Sequence, residues 1–88
     1  MNIDKNATIV DVRTPAEFAG RHFPSSINIP LEEVAKRINE FKELQKPIVA
    51  YCRSGNRSGI AVAILKQSGI TEVVNGGGLH DMFKSKSN

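Results

Sequence analysis

The sequence predicts an α/β domain built on a mainly parallel sheet, and three observations carry that expectation. Short β-branched runs alternate with amphipathic stretches along the 88 residues. The runs Thr8-Ile9-Val10-Asp11-Val12 and Ile48-Val49-Ala50-Tyr51 are nearly continuous in apolar residues, which suits strands covered on both faces. The amphipathic stretches between them carry helix start and stop residues. The expected architecture has three layers, with four or five mainly parallel strands, helices on both faces, and a single domain over residues 1–88.

The elements follow in order. After the first strand, Thr14-Pro15-Ala16-Glu17 reads as a helix start: Thr14 caps, Pro15 occupies the first helical position and Glu17 closes a capping box. Gly20 and Pro24 end that helix within two turns. Ser26-Ile27-Asn28-Ile29 is a short strand. A helix from Leu31 to Leu44 places Leu31, Val34, Ile38, Phe41 and Leu44 on one face, with Glu32 and Glu33 in its first turn, where negative charge is favoured. Pro47 breaks the chain before the Ile48 strand. The next helix runs from Asn56 to Gln67, with Ile60, Ala61, Ile64 and Leu65 inward and Gly69 as its stop. Thr71-Glu72-Val73-Val74 is the last strand. Gly76, Gly77 and Gly78 then form a tight turn into a helix over Leu79 to Phe83, since no Lys-[ST] follows to make them a phosphate loop.

Composition excludes several classes. The chain is 40% apolar and 24% charged, ordinary for a globular domain, and no run approaches the ~18 apolar residues of a membrane span. Its start, Met1-Asn2-Ile3-Asp4-Lys5, has no secretory apolar stretch, so a cytoplasmic location is expected, or a periplasmic one if a signal has been removed. A net charge of +3 falls short of a nucleic-acid-binding face, and Lys84-Ser85-Lys86 reads as a solvated end. One cysteine and two histidines without ligand spacing argue against a disulfide, a metal site or a cofactor.

The chemistry concentrates in Cys52-Arg53-Ser54-Gly55-Asn56-Arg57-Ser58, which joins a buried strand to a helix. A cysteine attacks as the thiolate, and this loop has three means of favouring that form. The helix amino end offers unpaired N–H groups, Gly55 lets successive N–H groups fold around one point, and Arg53 and Arg57 add positive charge. Cys52 as an inert core residue is the plain alternative, set aside by the strand–Cys–Gly–Arg–helix context. Cysteine phosphatases and arsenate reductases use a similar cradle with C-x5-R spacing, their arginine forking onto a tetrahedral oxyanion. Here that place is Ser58 and the arginine comes one residue early, at Arg57, giving a tighter loop matched to one sulfur atom.

In open α/β sheets the ligand lies beyond the carboxyl ends of the strands, where Asp11 to Arg13, Cys52 and Asn75 to Gly77 all fall. Asp11, Arg13 and Glu17 are expected to support the site through an ion pair bracing the helix start rather than to act as acids or bases. His22 is expected to fix its loop by a hydrogen bond, because a thiolate held by backbone dipoles needs no general base. His80 decorates the last helix.

Four segments resemble the rhodanese family in order and at matching spacing. Asp11-Val12-Arg13 with Glu17-Phe18 resembles its D-V-R-x-x-x-E-[FY] segment, and His22 to Pro30 its G-H-I-P-G-A-x-N-x-P segment. Val49-Ala50-Tyr51-Cys52 with the loop to Arg57 resembles its active-site strand and loop. Asn75 to Met82 is similar to its closing glycine motif, most like the small phage-shock thiosulfate sulfurtransferases. Arg21, Ser25 and Ser26 depart from the small residues of that pattern, the family's tryptophan near the carboxyl end is missing, and the amino-terminal strand and helix are nearly absent.

The resemblance implies a ping-pong reaction in which Cys52 takes the outer sulfur of thiosulfate, releases sulfite and passes the sulfur to cyanide or a thiol, including a thioredoxin- or glutathione-type acceptor. The alternatives are a persulfide carrier or redox-sensing binding module with little turnover, and a phosphatase or arsenate reductase, which Ser58 disfavours.

Overall fold

The computed structural model describes residues 2–84 and 86–87. Its main sheet has four parallel strands in the order β3-β2-β4-β5: β2 (Thr8–Asp11), β3 (Ile27–Asn28), β4 (Ile48–Cys52) and β5 (Val73–Gly78). A separate parallel pair joins β1 (Asn2–Ile3) to β6 (Lys86–Ser87), a pairing that the sequence patterns do not announce. Of the tail read as solvated, Lys84 ends a helix and Lys86 lies in β6, while Ser85 is outside the described residues. Among the described residues no helix is long and apolar enough to cross a membrane.

Alternation along the strands sends side chains to two separate cores. Val10, Ile48, Ala50 and Cys52 face one side, against Val34, Phe41, Ala61 and Leu65 from the helices α2 (Leu31–Val34), α3 (Ile38–Glu43) and α4 (Asn56–Gln67). Ile9, Val49 and Tyr51 face the other, against Ile3 and against Met82 of α5 (Leu79–Lys84). The sheet is thus the middle of three layers. The long helix expected over Leu31 to Leu44 is divided, with a 3₁₀ turn at Ala35–Arg37 between α2 and α3, but its apolar face survives: Val34 and Phe41 are fully buried and Leu31, Ile38 and Leu44 pack beside them.

The capping box forms as written in the sequence. Glu17 N–H donates to Thr14 Oγ1, Thr14 N–H donates to Glu17 Oε1, and Pro15 opens α1 (Pro15–Gly20). Two expectations need correction. Ile60 is 54% exposed rather than inward, because α4 buries the strip holding Ser58, Ala61 and Leu65, with Val62 and Ile64 packed at its margins, and Ile60 lies outside it. Gly76 to Gly78 are not a turn: β5 begins at Val73, after Thr71 and Glu72, and runs through all three. A bulge opposite Ala50 and Tyr51 absorbs the extra residue, shifting the register from Asn75↔Ala50 to Gly77↔Tyr51. The strand needs bare glycine there, since a Cβ on Gly76 would stand 2.6 Å from Met82 Sδ and 2.9 Å from Val49 Cγ1.

Candidate active site

Cys52 is the last residue of β4, so its side chain points into the α4 core while the chain turns above it. Gly55 makes that turn possible. It sits at φ 99°, a left-handed conformation natural to glycine, and serves as the N-cap of α4. The turn aims its donors at the sulfur: Gly55 N–H lies 3.0 Å from Cys52 Sγ, Ser58 N–H 3.4 Å and Ser58 Oγ 3.4 Å. Burial pushes the Cys52 thiol up, but the Ser58 hydroxyl and the N–H groups of Ser58, Ser54 and Gly55 outweigh it, and the net direction is down. The sulfur is therefore buried yet surrounded by donors. The residue that departs from the phosphatase spacing, Ser58, is the one giving it two contacts.

A second ring of contacts fixes those donors. Ser58 Oγ also lies 2.7 Å from Asn75 Oδ1, Asn75 Nδ2 donates to the Gly55 carbonyl at 3.0 Å, and Gly77 N–H donates to Asn75 Oδ1 at 2.9 Å. Asn75 thus ties the loop to β5. The fit below it is close: a Cβ on Gly78 would run into the Arg53 carbonyl oxygen and stand 2.9 Å from its carbon.

The expected arginines behave differently from each other, and neither donates a hydrogen bond to the sulfur. Arg57 gives both terminal nitrogens to Glu17, at 2.7 and 3.0 Å, joining the loop to α1. The Arg57 guanidinium, with the Thr14 N–H, holds the Glu17 carboxyl down to about 2. Arg53 is exposed and faces a cavity with Arg21, Leu79, His80 and Phe83. Ser54 and Asn56 are exposed on the loop.

Asp11 and Arg13 form a buried fork: Arg13 Nε and Nη2 donate to the Asp11 carboxylate, at 2.7 Å for the shortest, and Arg13 N–H donates to Asp11 Oδ1. Tyr51 O–H donates to the same carboxylate at 2.9 Å and accepts from Phe23 N–H. These residues lock β2 to β4 and to the loop after α1. His22 stacks on Phe18, ring centroids 3.8 Å apart, with Nδ1 2.8 Å from the Phe18 carbonyl oxygen.

Sequence reasoning placed Asn75 at this end of the sheet but gave it no role, and it did not single out the Tyr51 hydroxyl. The available signal for Asn75 was a polar residue at the end of an apolar strand, directly before a glycine run. Among the described residues no group of three His, Cys, Asp or Glu side chains is placed to hold a metal.

The family model described as "Rhodanese-like domain" matches residues 1–81. Thiosulfate sulfurtransferase PspE of Escherichia coli (strain K12) is 40% identical over 78 residues, 88% of this chain and 75% of that protein. The uncharacterized protein YqhL of Bacillus subtilis (strain 168) is 41% identical over 71 residues, 81% of this chain; the match spans about half of that relative's length, 56%. The solved structure titled "rhodanese with anions from E. coli" superposes with a TM-score of 0.77 at 39% identity, covering 85% of this chain and 89% of that one. Together these support sulfurtransferase chemistry at the level of the class.

Proposed function

Because the chain belongs to the rhodanese family, we propose that it moves a sulfane sulfur from thiosulfate to cyanide or a thiol, holding it in transit as a persulfide on Cys52. The observation that carries this reading is the convergence of the Gly55 and Ser58 donors on Cys52 Sγ. In the first step the Cys52 thiolate attacks the outer sulfur of thiosulfate. A bond forms from Sγ to that sulfur, the sulfur–sulfur bond of thiosulfate breaks, and sulfite leaves with the electron pair. Charge then moves from Sγ to the terminal sulfur, one atom outward within the same loop. Preorganised N–H groups stabilise either anion without rearranging at the moment of transfer. An acceptor takes the terminal sulfur and returns the thiolate.

Cys52 has no exposed surface. That burial also favours a second reading, a persulfide carrier with slow turnover on small donors. Phosphate-ester hydrolysis is disfavoured, since both terminal nitrogens of Arg57 are taken by Glu17.

The test is intact-mass analysis after thiosulfate treatment, paired with thiocyanate formation on adding cyanide. One added sulfur that cyanide removes, lost in Cys52→Ala, is expected. Persulfide without turnover selects the carrier reading, and no added sulfur overturns both.

A further inference from the structure

Arg21 has no part in the chemistry above. Its guanidinium carbon lies 4.8 Å from the centroid of the Phe83 ring, and Phe83 in turn packs on Phe23 at 5.4 Å. Its carbonyl oxygen accepts from Arg13 Nη2, which pins its backbone to the buried Asp11 fork. Arg21 and Arg53, with Leu79, His80 and Phe83, line a cavity of about 310 Å³. Neither arginine has a carboxylate partner among the described residues. The cavity opens directly beside the sulfur loop: Arg53 follows Cys52 in the chain, and Leu79 and His80 follow Gly78, the residue that pairs with Cys52.

Two guanidinium groups in one cavity, without a carboxylate partner among the described residues, call for anionic oxygens, and their planar forks suit carboxylates. The volume corresponds to about ten waters at ~30 Å³ each, so it takes an organic body as well as a charge. Leu79 and Phe83 supply the apolar wall for that body. We propose that this cavity binds the sulfur acceptor, a small organic thiol carrying carboxylates, with Arg21 as a residue that selects it. The proposal rests on the persulfide reading and names its second substrate class. The acceptor's thiol loses its proton to water and its sulfur attacks the terminal sulfur of the Cys52 persulfide. A new sulfur–sulfur bond forms, the bond to Sγ breaks with its electron pair returning to Sγ, and the products are the acceptor persulfide and the Cys52 thiolate.

The experiment compares wild type with Arg21→Ala, using thiosulfate as donor and glutathione, the neutral thiol N-acetylcysteamine, or cyanide as acceptor. The expected result is a rise of about tenfold in KM for glutathione, equivalent to ~1.4 kcal/mol of lost binding. N-acetylcysteamine, cyanide turnover and the KM for thiosulfate stay unchanged, and Arg21→Lys restores part of the loss. Equal effects on both thiols, no effect on either, or a shift in the KM for thiosulfate would overturn the assignment. Calorimetric binding of S-methylglutathione needs no sulfur on Cys52 and separates the two readings. Binding that Arg21→Ala weakens, in a protein that forms no persulfide, keeps the site and removes the sulfurtransferase reading. A wild type that forms the persulfide but does not bind this probe removes the site alone.

Discussion

Ser58 Oγ stands 2.7 Å from Asn75 Oδ1 and 3.4 Å from Cys52 Sγ. A hydroxyl has one proton, so it donates to one of these acceptors at a time. With a neutral thiol the shorter contact to Asn75 holds it; a thiolate draws it to the sulfur. Ser58→Ala removes this donor and leaves only backbone N–H groups on the sulfur. The expected outcome is iodoacetamide alkylation at pH 7 slowed by roughly threefold to tenfold, within the ~0.5–1.5 kcal/mol that one ordinary hydrogen bond contributes. An unchanged rate would show that the hydroxyl stays with Asn75.

The Glu17–Arg57 pair ties stability to acid. Arg57 holds the folded Glu17 carboxyl down to about 2, against an ordinary value near 4.5. A carboxyl held low stabilises the fold above its unfolded value, and that stabilisation fades as pH falls from about 4.5 towards 2. Both side chains are about one-third exposed, at 29% and 34%, so solvent screening limits the effect to about 0.2–1 kcal/mol. Glu17→Gln is expected to lose this increment at pH 7 and to show a flatter dependence between pH 5 and 2 in urea titrations.

Tyr51→Phe removes a donor to the Asp11 carboxylate and leaves Phe23 N–H without its acceptor. A loss of about 1–3 kcal/mol in unfolding free energy is expected, read as a lower urea midpoint with an unchanged slope.

Gly78→Ala places a methyl group against the Arg53 carbonyl, 3.2 Å from Ser54 Cα. The obstacle is backbone, which cannot swing aside as a side chain would. The expected result is a stability loss of about 1–3 kcal/mol together with slower persulfide formation, measured by intact mass over time.

Local chemistry was legible in the sequence and long-range partnership was not. The Thr14–Glu17 capping box and the bounds of α4 follow from residues close in the chain, and the structure has both. The partner of Arg57 is Glu17, 40 residues away, and no spacing rule reaches that far. Ile60 satisfies the helical period, but how wide a strip of α4 meets the sheet depends on what packs against it. The glycine run looked like a turn because the bulge that keeps it in β5 is set by the neighbouring strand β4. Asn75 acquires its place over Gly55 and Ser58 only once that register exists.

Cys52 has no surface in contact with solvent, and the chain holds no second thiol. Once oxidised to a sulfenic acid, such a cysteine has no thiol in its own chain to condense with, and further oxidation to the sulfinic or sulfonic acid is irreversible. With no resolving cysteine in the chain, recovery from the sulfenic acid falls to an external thiol, which condenses with it to a disulfide.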